Sequence, residues 1–310
     1  MPLAALACPV LELDVTKSGT VERSRPLLGT FVQVMVSADD RELAHERVEA
    51  AFAAVANLHS LLSFHLPTSD ISRLNREAAI TPVRVSDHTY EVIRLALEIA
   101  AASAGLFDIT VANQLVAQGL LPRPSLAPAP DPLASWQDIE LLAPPLIRFR
   151  RPLWIDVGGI AKGYAVDQAT EIVQRDSLRC RINAGGDLRV AGAWRDRVML
   201  SVPDHPAAQL PTVELANASL ASSGTPAPKE NQIAASSPYI HGRERHTLRT
   251  GRFVAVVAPR CVIADALTKI VLIDADGAAA VLQRYDATAY LYDRRLHGHH
   301  EGWRTLGGKI

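Results

Sequence analysis

Two segments of this chain carry an apolar run straight into paired glycines beside an acid: Leu153-Trp154-Ile155-Asp156-Val157-Gly158-Gly159 and Cys180-Arg181-Ile182-Asn183-Ala184-Gly185-Gly186-Asp187. Glycine directly after a strand lets backbone N–H groups approach a ligand with no side chain between, and a helix beginning there adds the partial positive charge of its N-terminus. Phosphate suits such a turn. In the first copy Lys162 follows closely and could give a phosphate oxygen a full charge, while Asp156 could accept from a ribose hydroxyl or a ring N–H. The alternative is that two tight turns simply require glycine. Neither segment reads G-x-G-x-x-G or G-x-x-x-x-G-K-[ST], so neither carries a Rossmann or P-loop fingerprint.

Further along, Asp265 and Lys269 stand four residues apart among apolar neighbours, Val262 to Val271. On a helix that spacing puts both side chains on one face. They could form a surface ion pair, or supply a carboxylate for Mg²⁺ and a donor for a phosphate. Cys8, Cys180 and Cys261 are far apart, lack a C-x-x-C pair and read as inert thiols.

These groups must be positioned by a folded body, and the chain can build one. Its 310 residues are 48% hydrophobic and 21% charged, which excludes a disordered chain and allows one large domain or two. A formal net charge of -1 leaves no global field to hold nucleic acid or an anionic membrane. No run reaches the about 18 apolar residues of a membrane span, and residues 1–8 resemble a lipoprotein leader only faintly. The expectation is a cytoplasmic chain.

Thr30–Val36 is rich in β-branched residues and reads as a strand. From Asp40 to Leu62 apolar residues recur every three or four positions, predicting a helix, and the same period over Val92–Ala102 predicts another that stops before Gly105. The two glycine segments flank a helix face made by Val166, Ala169, Ile172 and Val173, giving strand, glycine turn, helix, strand, glycine turn. Residues 197–202, 252–258 and 287–292 read as strands. The Pro-rich stretch from Pro122 to Pro132 reads as an exposed connection, and Pro203 to Arg249 as long loops.

Taken in order, several segments resemble the ApbE family of FAD:protein FMN transferases. They are Leu28-Gly29-Thr30, Ser63 to Asn75, Phe107-Asp108-Ile109-Thr110-Val111, Asp156 to Asp167 (DVGGIAKGYAVD), Asn183 to Asp187 (NAGGD), Ser222-Ser223-Gly224 and Ala264-Asp265-Ala266-Leu267. The resemblance implies an α+β fold, antiparallel sheets packed with helices around an FAD cleft. Residues 25–310 would form one domain, divisible into two subdomains, after an extension over residues 1–24. It also implies a reaction in which FAD and Mg²⁺ yield FMN esterified to a Thr or Ser of an acceptor flavoprotein, with release of AMP. Leu28, His65, Phe107, Asp108, Asp156, Lys162, Gly185, Gly186, Asp187 and Gly224 would then bind FAD. Asp265, the Gly159 carbonyl and Thr268 would hold the metal, and Asp265, Lys162 and His246 would be the catalytic groups.

The chain departs from the family pattern at several of these positions. Lys269 stands where the family has Thr after its metal-binding Asp, and could occupy the space of a metal. His65 replaces a flavin-packing Tyr, Pro226-Ala227-Pro228 replaces an aromatic and basic stretch, and His246 heads a segment that has lost its Asp-Pro. An FAD-binding relative acting as carrier, sensor or FAD pyrophosphatase is therefore the alternative reading. An interaction module whose glycine turns are only turns is a third.

Overall fold

The computed structural model describes residues 19–202, 210–225, 237–293 and 302–308. The leader-like residues 1–8, including Cys8, and Pro226-Ala227-Pro228 lie outside them. Strands β1 (Thr20–Leu27) and β2 (Thr30–Ser37) open the fold as a hairpin whose two-residue turn, Leu28-Gly29, has positive φ at both positions. A mirror-type turn of this kind suits glycine, and Leu28 at φ 55° is held there by partial burial against the core. β1 begins at Thr20, so the edge of the sheet takes in residues that the sequence placed in an extension.

Helix α1 (Arg41–Leu62) follows, with the Asp40 carboxylate accepting from the Glu42 N–H at its start. Its buried stripe of Ala44, Val48, Ala51, Phe52, Val55, Leu58 and Leu62 is the periodic face seen in the sequence. Helices α2 (Asp70–Glu77) and α3 (Asp87–Ala102) come next, then α4 (Ala112–Ala117), and a small sheet of β3 (Val83–Arg84), β4 (Ile139–Leu141) and β5 (Leu146–Phe149).

Helix α5 (Ala161–Gln174) leads into β6 (Arg179–Ala184) and β7 (Asp187–Ala191), joined by the Gly185-Gly186 turn. The hairpin of β8 (Arg195–Met199) and β9 (Thr212–Ala216) is followed by β10 (Ser219–Gly224), β11 (Arg252–Ala258) and helix α6 (Cys261–Ile273). Helix α7 (Ala279–Arg284), β12 (Thr288–Asp293) and β13 (Trp303–Gly307) complete the described elements.

Eight of these strands form one sheet in the order β1-β2-β6-β7-β10-β11-β12-β13, antiparallel at every step. Helices α1, α5 and α6 lie side by side across it. The β8–β9 ribbon meets the sheet through Val198, Val213 and Leu215, packed with Leu188, Val190 and Leu220. This is a mixed α+β fold, as the sequence led us to expect. Cys180 and Cys261 are free and fully buried, and burial pushes the Cys180 thiol up to about 12. Among the described residues no helix is long and apolar enough to cross a membrane.

Two sequence expectations need correction. Leu153–Val157 is not part of a strand. Its backbone is bound instead by a side chain: Asn75 Oδ1 accepts from the Ile155 N–H at 2.8 Å, Asn75 Nδ2 donates to the Ile155 carbonyl at 3.1 Å, and the Asp156 N–H reaches the Ile109 carbonyl at 2.8 Å. The interval from Pro203 to Arg249 is also not loop throughout, because it contains β9 and β10.

Candidate functional site

Two glycine-bearing turns meet at one end of the sheet. Val32 in β2 pairs with Ala184 in β6, so the Leu28-Gly29 turn and the Gly185-Gly186 turn are neighbours. A Cβ built on Gly185 would stand 2.5 Å from Thr30 Oγ1, and one on Gly186 would stand 2.9 Å from Ser222 Oγ. Both glycines have positive φ, 64° and 103°, so space and backbone conformation each require glycine. The Gly186 N–H is held by Asn183 Oδ1 at 3.0 Å.

Asp187, first residue of β7, points at Lys162 in the first turn of α5, and the two form an ion pair. Lys162 Nζ is also 3.6 Å from Asp265 Oδ2. Helix α6 comes close enough to α5 to present Asp265 because position 163 is glycine, where a Cβ would fall 2.4 Å from the Cys261 carbonyl oxygen and 2.8 Å from Asp265 Cβ. The Gly163 N–H donates to Asp265 Oδ2 at 3.1 Å. The other oxygen, Asp265 Oδ1, is paired with the Lys269 ammonium, which also donates to the Asp265 carbonyl at 3.0 Å. Two acids and two lysines therefore alternate, Asp187, Lys162, Asp265, Lys269, and their formal charges cancel.

Asp187, Asp265 and Lys162 are shifted in different directions. Burial and the nearby Asp265 carboxylate push Asp187 up to about 6, although Lys162 and Lys269 oppose this. Burial also penalises charge on Asp265, yet Lys162, Lys269 and the Gly163 N–H together hold it below the usual carboxylate range. Burial lowers the Lys162 ammonium, and the attraction of Asp187 and Asp265 outweighs it, so the net shift is upward. Asp187 is therefore the member of the cluster that gains a proton as pH falls through about 6.

Helix α6 is held in place by Asp167. This fully buried carboxylate from α5 accepts the Cys261 N–H at 2.9 Å and the Val262 N–H at 3.0 Å, capping a helix whose own N-cap residue, Arg260, offers no side-chain bond. Arg189 of β7 forms an ion pair with the same carboxylate.

The predicted site residues divide into those brought together and those kept apart. Lys162, Asp187, Asp265 and Thr268 converge, with Gly185 and Gly186 in the turn that precedes Asp187. Gly159 packs beside them, since a Cβ there would lie 3.6 Å from Lys269 Cε and 3.4 Å from Phe107 Cε2. Asp156 is half-buried next to Gly158; burial raises its carboxyl, against the Gly158 N–H and exposed His65 nearby. Leu28 forms the adjoining turn. Gly224 ends β10 one residue after Ser223, beside Phe253.

The contacts of Asp108 and His246 are with residues outside this cluster. Asp108 Oδ1 accepts from the Thr110 N–H and hydroxyl, both at 2.7 Å, and Oδ2 pairs with Arg245 at 2.7 Å; burial still raises its carboxyl. It lines a cavity of about 400 Å³ with Trp136, Gln137, Arg243 and Arg245, and no member of the lysine–acid cluster lines that cavity. His246 is exposed, 3.2 Å from Glu244 Oε2 and tilted against the His241 ring.

The donors expected to hold Mg²⁺ do not fit a divalent cation in this arrangement. Both Asp265 oxygens are engaged by N–H donors, one of them an ammonium in contact. The Thr268 hydroxyl donates to the Asp265 carbonyl at 2.7 Å and shares a 2.8 Å hydrogen bond with Ser223. A dication would face two ammonium groups at once.

Sequence reasoning missed Tyr239 and Arg245. Tyr239 is half-buried and near enough to Lys162 to raise its pKa, but its stretch has no periodicity to mark it. Arg245 reaches Asp108 across 137 residues of sequence, and nothing local announces the pair.

Along most of its length the chain is similar to known proteins. The model of the ApbE family matches residues 28–291. The FAD:protein FMN transferase of Haemophilus influenzae is 25% identical over 283 residues, covering 83% of this chain and 80% of the relative. The protein of that name from Vibrio cholerae is 26% identical over 211 residues, covering 63% and 62%. Among solved structures, the apbe protein of Thermotoga maritima superposes with a TM-score of 0.79 at 20% identity, covering 93% of this chain and 97% of that one. The flavinyl transferase ApbE of Pseudomonas stutzeri, in its apo form, gives 0.76 at 19% identity, covering 96% and 97%.

Proposed function

The chain belongs to the ApbE family, and on that premise we propose that it is an FAD:protein FMN transferase, moving FMN from FAD to a Thr or Ser hydroxyl of an acceptor flavoprotein. The observation that carries this reading is the convergence of Lys162, Asp187 and Asp265 beside the glycine turns, from three motifs well separated in sequence.

In this reaction the acceptor hydroxyl oxygen bonds to the FMN-side phosphorus of the FAD diphosphate. The bond from that phosphorus to the bridging oxygen breaks, AMP leaves with the bonding electrons, and the hydroxyl proton passes to a base. Lys162 bears a firmly held positive charge at the mouth of the cluster and would bind the diphosphate and stabilise charge building on the bridging oxygen. Asp187 orients Lys162 from behind. The Gly185-Gly186 turn, closed against Thr30 and Ser222, is what sets Asp187 behind Lys162. His246, exposed beside Glu244, would be the base for an acceptor arriving from solvent. Mg²⁺ is the cation that the family resemblance adds.

The test is incubation of the protein with FAD and a Thr-bearing acceptor peptide, with and without Mg²⁺, read by mass spectrometry of the peptide and by AMP release. A peptide heavier by one FMN moiety, in step with AMP, supports the proposal. FMN and AMP appearing with no modified peptide would assign the chain to hydrolysis of FAD, and the absence of any FAD turnover would reject the transferase reading.

A further inference from the structure

Exposure within the cluster runs opposite to that of a metal site. The acids are behind, with Asp265 and Asp187 side chains 0% and 2% exposed, and the ammonium-bearing chains are in front, with Lys162 31% and Lys269 17% exposed. A cation arriving from solvent would therefore meet positive charge first, and an anion would meet it too. The Lys269 stem lies against Gly159, where no side chain separates it from the turn leading to Lys162. Thr268, the side-chain oxygen donor besides Asp265, is fully buried and bonded to Ser223.

We propose that the Lys269 ammonium, seated on Asp265, is a tethered replacement for the divalent cation, so that the FAD diphosphate is held by Lys162 and Lys269 without metal. This deepens the reading above and rests on FAD being the bound nucleotide. The chemistry is consistent: an ammonium offers donors and one positive charge to phosphate oxygens without requiring a ligand set of its own. The replacement carries one charge instead of two. Asp265 then acts as a positioning residue that aims Lys269.

The experiment follows FAD binding by fluorescence, and Mn²⁺ binding by electron paramagnetic resonance, for the full chain. For the unaltered protein, FAD affinity in a chelator should match that in Mg²⁺ to within about twofold, and Mn²⁺ should remain free. Lys269→Thr should weaken FAD binding by about tenfold in the chelator, recover with Mg²⁺, and acquire a bound Mn²⁺ that Lys269→Arg does not. FAD binding by the unaltered chain that depends on Mg²⁺ would overturn the replacement while leaving the FAD reading intact. So would bound Mn²⁺ that is lost in Asp265→Asn. Failure to bind FAD under either condition would remove the FAD reading and this proposal with it. The comparison of chelator with Mg²⁺ needs no variant, so it decides the matter even if Lys269→Thr folds poorly.

Discussion

Asn75 and Ile155, eighty residues apart, are joined by both atoms of one side-chain amide: Oδ1 accepts from the Ile155 N–H at 2.8 Å and Nδ2 donates to the Ile155 carbonyl at 3.1 Å. The pair fixes the extended segment that delivers Asp156, the Gly158-Gly159 turn and Lys162.

Replacing Asn75 by Ala should leave two buried backbone groups without partners. At about 1–3 kcal/mol each, the expected loss of stability is about 2–6 kcal/mol, read as a lower denaturation midpoint. Asn75→Asp keeps the acceptor and loses the donor, so it should fall between. Equal stability of Asn75→Ala and the parent would mean that this segment is held by something else.

The two glycine turns should differ in tolerance. Gly29 has φ 71° but open space around a would-be Cβ, so Gly29→Ala meets only backbone strain, about 1–2 kcal/mol. Gly185→Ala adds a contact at 2.5 Å with Thr30 Oγ1, and should cost about 1–3 kcal/mol more, the range for overpacking. In Gly185→Ala combined with Thr30→Ala the excess should shrink. If Gly29→Ala proves the more damaging of the two, the assignment of Thr30 as the obstacle is wrong.

Asp167→Ala removes the cap of α6 and the partner of Arg189, leaving a partly buried charge and two amides without a polar partner. Loss of one member of such a pair costs about 3–5 kcal/mol. Thermal unfolding should show it directly, with FAD affinity falling as well because α6 carries Asp265 and Lys269. A variant with normal stability would remove Asp167 from this role.

A pH effect follows from Asp187. Its carboxyl is raised in the folded state, to about 6, so the native state holds this proton more tightly than the unfolded chain does. Between the unfolded value near 4 and about 6, this group's contribution to stability therefore declines as pH rises, and it is constant above. Below about pH 6 the cluster also gains one net positive charge, so FAD should bind more tightly there. Asp187→Asn should flatten that profile. A profile unchanged by the substitution would place the titration elsewhere.

The parts that sequence disclosed are those with local signatures. The buried stripe of α1 repeats at helical spacing, and Gly185-Gly186 marks a turn whose positive φ and close contacts require glycine. Asp265 and Lys269 are legible because four residues on a helix place them together. β10 was invisible because Ser-Leu-Ala-Ser-Ser-Gly has little strand preference, yet its small side chains are what allow α6 to pack close. β1 is an edge strand with mostly exposed side chains, so it lacks an apolar alternation. Leu153–Val157 misled in the other direction: its residues favour strand, but Asn75 and Ile109 occupy the backbone groups that a neighbouring strand would need. Pairings such as Arg245 with Asp108 depend on the whole topology and leave no local mark.

The order in which the charged residues occur along the chain has a consequence for synthesis. A ribosome releases Lys162 and Asp187 well before Asp265 and Lys269, so the emerging polypeptide can first assemble only a neutral pair. Asp167, made early and already in α5 beside Arg189, then waits for the first amides of α6. Nucleotide affinity should thus be absent from translation products halted ahead of Cys261 and appear only when α6 docks, which makes nucleotide capture a late checkpoint on folding.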